Sequence, residues 1–200
     1  MKAFLNYYKW HIFFLALFIV CILVFTVDSC RKSVPDLKIT CFSTGFINEQ
    51  TFNDAKSDIE GLLHDADGDG HKRVHLTTYT YDEQSDLDLL FETFCVPKDS
   101  DIVIATKKTL ENFKEKDMLV DATEYVHDAA SGKLDVLKDS NGRVYAISVE
   151  GNEYLKKRGF HFSEGLYIAV VAEDKEAKEL SANKKNARNI AQYIVRESDI

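Results

Sequence analysis

The chain has 200 residues, of which 45% are apolar and 12% aromatic, enough for one domain with an ordinary core plus a further segment. It carries a net charge of −8, yet residues 1–27 hold Lys2 and Lys9 and no acid, so everything after them is more acidic still. Such a surface repels phosphates, which excludes nucleic acid and anionic lipid as partners and leaves solubility, a cation or a cationic partner.

In chain order, residues 1–9 read as a short cytoplasmic N-terminus and residues 10–27 as a transmembrane anchor. Ile12 to Val27 is continuously apolar, and Tyr7, Tyr8 and Trp10 supply an interfacial belt. With that belt the run reaches about 20 residues, the length a helix needs to cross about 30 Å of hydrocarbon. A cleaved signal has an apolar region of only about 7–15 residues and a small-residue cleavage site. Here Thr26-Val27-Asp28 is a poor site, and Asp28 spoils the lipobox that Cys30 would need. The reading is therefore an uncleaved signal anchor, with a cleaved or Cys30-lipidated form as the alternative. Lys2 and Lys9 on one side are balanced by Arg31 and Lys32 on the other. The shortness of the leading segment places the N-terminus inside and the rest at the cell membrane's outer face.

Residues 28–36 read as a stalk and residues 37–200 as an extracytoplasmic α/β domain. Leu37 to Phe42 alternates and predicts a strand, and Ser43-Thr44-Gly45 a loop. Thr51 or Asn53 is then expected to cap a helix carrying Phe52, Ala55, Ile59, Leu62 and Leu63 inward. The Asp/Gly-rich stretch 65–70 stops it. Val74 to Tyr81 is rich in β-branched and aromatic residues and predicts a second strand. Leu87 to Phe94 predicts a helix, Asp101 to Ala105 a strand buried on both faces, and Thr106 to Lys116 a helix with Leu110 and Phe113 inward. Gly142 to Ile147 is a strand after an Asn-Gly turn, Leu166 to Ala172 the most β-like run, and Asn186 to Arg196 an amphipathic helix. Alternation of strand and helix predicts a mostly parallel sheet with helices on both faces.

Three of these blocks carry a family likeness. The segment Asp101 to Val120, DIVIATKKTLENFKEKDMLV, resembles a strand–helix–turn of extracellular solute-binding proteins. Asn141 to Ser148, NGRVYAIS, is similar to that family's G-x-x-Y-G-[IL]-P strand, with Ala146 and Ser148 where the family has glycine and proline. Asn186 to Val195 is similar to its terminal helix. The likeness runs in order over residues 36–197. It implies a single lobe, because only a short loop separates Ser148 from Leu166, and one lobe has no partner to close against. It also implies a bacterial cell-surface protein that meets a small solute or another envelope protein.

Asp65-Ala66-Asp67-Gly68-Asp69-Gly70 matches the opening of a calcium loop, D-x-D-x-D-G, with His71 able to add its carbonyl. Asp65, Asp67, Asp69 and His71 are thus the candidate Ca2+ ligands. The twelfth position, where an EF-hand has glutamate, is Leu76. A metal-free turn is the alternative, since Asp and Gly are turn residues in their own right. In a parallel sheet, ligands gather beyond the carboxyl ends of strands. Ser43, Thr44, Tyr81, Asp82, Thr106 and Lys107 stand there and are the candidate ligand-binding residues. No nucleophile elbow, Walker loop, dinucleotide fingerprint or H-E-x-x-H is present, so a non-catalytic binding module is expected. Cys41 and Cys95 either pair or remain buried thiols.

Overall fold

A computed structural model describes residues 2–30, 34–43, 49–80, 100–124, 135–157, 165–172 and 181–196. The chain divides into two units, residues 1–34 and 35–200. The first is the helix α1, Lys2–Cys30, 29 residues long. Its run of Leu, Ile, Phe, Ala and Val contains no helix breaker, and its large apolar side chains between Phe13 and Val24 are 47–63% exposed. Its described side chains lie between Tyr8 and Val24, and among the described residues no helix is long and apolar enough to cross a membrane.

The second unit is α/β. In chain order it comprises β1 (Leu37–Ser43), α2 (Glu49–Leu62), β2 (Val74–Thr80), β3 (Ile102–Thr106), α3 (Lys107–Glu115), β4 (Val136–Lys138), β5 (Val144–Ser148), α4 (Glu153–Lys157), β6 (Leu166–Val170) and α5 (Ala182–Arg196). The six strands form one sheet in the order β2-β1-β3-β6-β5-β4. β2, β1 and β3 are parallel, as the alternation requires. The other half corrects the expectation of a mostly parallel sheet. β6 runs antiparallel between β3 and β5, and β4 is antiparallel to β5. For β4 and β5 the cause is connection length: they are joined by a tight turn, which permits only antiparallel pairing, whereas parallel neighbours need a crossover. Gly142, at φ 80°, takes the left-handed position of that turn and donates its N–H to the Asp139 carbonyl at 3.0 Å.

The two faces of the sheet carry separate cores. On one, Leu37, Ile39 and Cys41 of β1 and Ile102 and Ile104 of β3 meet Ala55 and Ile59 of α2 and Ala187, Ile190, Ala191 and Ile194 of α5. On the other, Phe42, Val103, Ala105 and Ala169 meet Leu110 and Phe113 of α3. This period-two division is the pleat of the strands read directly from the sequence. Phe42 stacks on Tyr79 with ring centroids 5.4 Å apart, and Phe113 closes the group at 6.2 Å from Phe42. Fully burying a side chain such as Phe113 contributes about 1.5–3 kcal/mol.

Several boundaries move. α2 starts at Glu49, so Thr51 and Asn53 lie inside it rather than capping it. Leu62 is exposed while Leu63, just past the helix, is buried. α5 begins four residues before Asn186 because Lys184, though charged, is buried in its first turns. β4 and α4 were not expected, being only 3 and 5 residues long. The helix expected at 87–94 lies outside the described residues. Asp36, expected in the stalk, is 1% exposed and belongs to the fold.

Candidate functional sites

At the carboxyl ends of the parallel strands, Ser43 of β1 registers with Thr80 of β2. Cys41 registers with Ile104, and each strand runs on for two residues, to Ser43 and Thr106. The sheet therefore brings two of the expected hydroxyl residues to one edge. Thr44, Tyr81 and Asp82 lie outside the described residues. Thr106 has a structural task there: extended at φ −67° and ψ 158°, it caps α3, its hydroxyl accepting the Thr109 N–H at 3.5 Å. Lys107 is exposed and 3.9 Å from Glu111, a loose pair on the helix surface. At the same end of the sheet, the Tyr167 hydroxyl donates to Asp135 at 2.7 Å. That bond to a carboxylate, aided by desolvation, pushes the phenol up to about 12.

The acidic turn is built from its own side chains. Asp65 accepts the Gly68 N–H at 2.7 Å and the Gly70 N–H at 2.8 Å. The bond from Gly70 is the main reason its carboxyl is held below the usual range. Gly70, at φ 80°, makes the reversal. Asp67 accepts the Asp69 N–H at 3.1 Å. Asp69 turns to Arg73 at 2.5 Å, and that hydrogen bond lowers its pKa. His71 is exposed and donates its N–H to Asp69 at 2.7 Å. Of the three expected carboxylate ligands, Asp65 and Asp67 converge, and their third partner is Asp36: carboxylate oxygens of the three lie within 4.8 Å of one another. Asp36 also accepts the Ala66 N–H at 2.6 Å and the Arg73 N–H at 2.8 Å, pinning both ends of the turn. Nothing in the local motif points to Asp36, which precedes Asp65 by one strand and one helix. Its position before β1 and beside the start of β2 follows from parallel pairing alone.

A third region lies at the amino end of the sheet, where α3 ends and the β4–β5 turn projects. It is a cleft of about 260 Å³. Lys114 holds its amine 5.9 Å from the centre of the Tyr145 ring. Burial, with Glu111 and Asp139 nearby, pushes the Tyr145 phenol up. Asp139 accepts the N–H groups of Asn141 and Arg143 at 2.8 and 2.9 Å, and faces the Arg143 Nε at 3.6 Å. Asp121 accepts both the N–H and the hydroxyl of Thr123 on one oxygen, at 2.9 and 2.5 Å. These bonds, the hydroxyl first, lower its pKa, with Arg143 adding to the effect. Asp117, at φ 58°, turns the chain out of α3.

No protein-family model, no curated protein and no solved structure matches the chain. Cys41 offers little chemistry: it is a free thiol, 2% exposed, and burial pushes it up to about 12. It stays protonated at neutral pH and is no nucleophile there. Cys95 lies outside the described residues. Cys41 borders a small apolar cavity of about 30 Å³ between the sheet and α2, walled by Ile39, Ile59, Leu76 and Ile194. A space that small and apolar is a packing defect rather than a ligand site.

Proposed function

We propose that the chain is a membrane-tethered extracytoplasmic module that binds a small solute or another envelope protein, resembles one lobe of a solute-binding protein, and performs no catalysis. The observation that carries this reading is the apolar surface of α1. Its ten large apolar residues from Phe13 to Val24 are each about half exposed or more, and this stretch carries no formal charge. Such a continuous patch is a liability in water and is at home in hydrocarbon. The second support is that the parallel strands β2, β1 and β3 end at one edge, in Thr80, Ser43 and Thr106, where ligands of parallel sheets collect.

The tether is tested by expressing the full chain in bacteria, extracting membranes with alkaline carbonate and treating intact cells with protease. The chain stays with the membrane after extraction, and its α/β unit is cut from outside. Replacing Leu17 and Ile19 with arginine costs about 2.5–3.5 kcal/mol per charge at a bilayer's centre and releases the chain. Retention of the double variant, or protection of the α/β unit from protease, refutes the reading.

A second reading is an accessory envelope domain stiffened by calcium, favoured by the convergence of Asp36, Asp65 and Asp67. Calcium takes six to eight oxygens, so three carboxylates would bind it weakly, with water or carbonyls completing the shell. On this reading, millimolar calcium raises the melting temperature of the full chain by a few degrees, EDTA reverses the rise and Asp36→Asn abolishes it. An unchanged melt makes the segment a turn held by its own side chains.

A further inference from the structure

We infer that the cleft at the amino end of the sheet binds a small zwitterion, its carboxylate on Lys114 and its ammonium on Asp121. The inference deepens the binding-module reading and rests on it, while placing the ligand at the opposite end of the sheet from Ser43 and Thr106.

Several charges around the cleft are already committed. Asp139 and Arg143 face each other, and Asp139 also takes two backbone N–H groups of its own turn. Asp117 also lines the cleft and has an interaction of its own, and Lys114 and Asp121 remain as charges of opposite sign. Lys114 rests over the Tyr145 ring and has no carboxylate within ion-pair distance among the described residues. Asp121 spends one oxygen on Thr123, and its other oxygen has no hydrogen-bond partner among the described residues. The Tyr145 hydroxyl likewise has no partner among them, and being held neutral it remains a donor.

Lys114 and Asp121 line one cleft, so a simple anion on Lys114 would share it with a carboxylate and a simple cation on Asp121 would share it with an ammonium. A molecule carrying both charges satisfies each, which is specificity by complementary charge rather than by area. Size sets the second limit. Pockets for drug-sized ligands hold about 300–1,000 Å³, so 260 Å³ takes a compound of few heavy atoms. The walls are also fixed in advance, by the pairing of Leu119 with Val171 and by the β4–β5 turn. Little ordering is then needed on binding.

The test is calorimetric titration of the detergent-solubilised full chain with L-serine, and with acetate and ethylammonium as singly charged controls. Serine binds, and each control binds at least about tenfold more weakly. Lys114→Met and Asp121→Asn each weaken serine binding about tenfold or more. Lys156→Met, on the exposed surface of α4, leaves it unchanged. Both site variants keep their local framework, since methionine preserves the stem and asparagine can still accept from Thr123, and circular dichroism checks the fold. Absence of serine binding, equal binding of acetate, or serine binding that survives both variants overturns the inference. Loss of binding in Lys107→Met alone also overturns it, while moving the ligand to the carboxyl edge and leaving the binding-module reading intact. Release from the membrane in the extraction experiment tells against the module without bearing on this cleft.

Discussion

Replacing Lys184 with methionine lowers the stability of the α/β unit by about 3–5 kcal/mol, the usual effect of stranding one member of a buried ion pair. Lys184 and Asp101 meet at 3.1 Å, with side chains only 10% and 9% exposed. The amine also donates to the Ser100 carbonyl at 3.2 Å, and Asp101 accepts the Lys38 N–H at 2.9 Å. The pair thus joins α5 to the amino ends of β1 and β3 at one point. Thr40 and Ser100 share a hydroxyl contact beside it. Removing the amine leaves the Asp101 carboxylate without its cation in a dry position. In a unit of this size, the loss lowers the melting temperature by about 10 °C. The double variant Lys184→Met/Asp101→Asn regains part of the loss, because asparagine still accepts from Lys38 and carries no charge. Urea unfolding of the two single variants and the double variant measures the coupling. A single variant as stable as the parent removes the pair from the account of how α5 docks.

Asn186→Ala lowers stability by about 2–3 kcal/mol, or about 5–10 °C, and loosens the acidic turn more than a residue of α5 would suggest. Asn186 is 1% exposed and accepts the His64 N–H at 2.9 Å. Its amide donates to the His64 carbonyl at 2.8 Å and to the Asp36 carbonyl at 3.2 Å. His64 and Asp36 bracket the turn, and Asp36 holds Ala66 and Arg73. Hydrogen exchange is the discriminating measurement: the Ala66 and Arg73 amides exchange faster in the variant, while amides of α3 do not. Equal protection of all of them would mean that Asn186 only fills space. A companion variant, Asn152→Ala, serves as a control on the far side of α5, since Asn152 donates to the Ile194 carbonyl at 2.8 Å and accepts from Leu155.

Much of this architecture was legible in the residues. The alternation in Leu37 to Phe42 located β1, and the fold then divides Ile39 and Cys41 from Phe42 between two cores. The apolar run Asp101 to Ala105 located β3 and the periodic run after it located α3, while Thr106 ends the strand and caps the helix rather than opening it. Asn141-Gly142 marked a tight turn, but it was read as preceding one strand. β4 went unseen because three residues with one buried leucine leave no period to detect. The antiparallel return of β6 was hidden for another reason. Leu166 to Val170 is apolar on both faces, and such a run has the same composition in either direction.

Side-chain chemistry divides in the same way. Local spacing was enough to identify Asp65 to Gly70 as a tight, carboxylate-lined reversal, because every hydrogen bond inside it spans five residues or fewer. What the turn is fastened to came only from tertiary structure. Asp36 reaches Ala66 from 30 residues away, and Asn186 reaches His64 from 122. The uncommitted pair Lys114 and Asp121 became visible only once Asp139 and Arg143 were seen to engage each other across the β4–β5 turn. Sequence by itself determined the class of the fold, the apolar helix at residues 10–27 and the acidic surface, because these depend on composition and on periods shorter than a single element. Strand order, the direction of β6 and the meeting of distant polar groups were decided by packing, because which surfaces bury together is a property of the whole chain and not of any window along it.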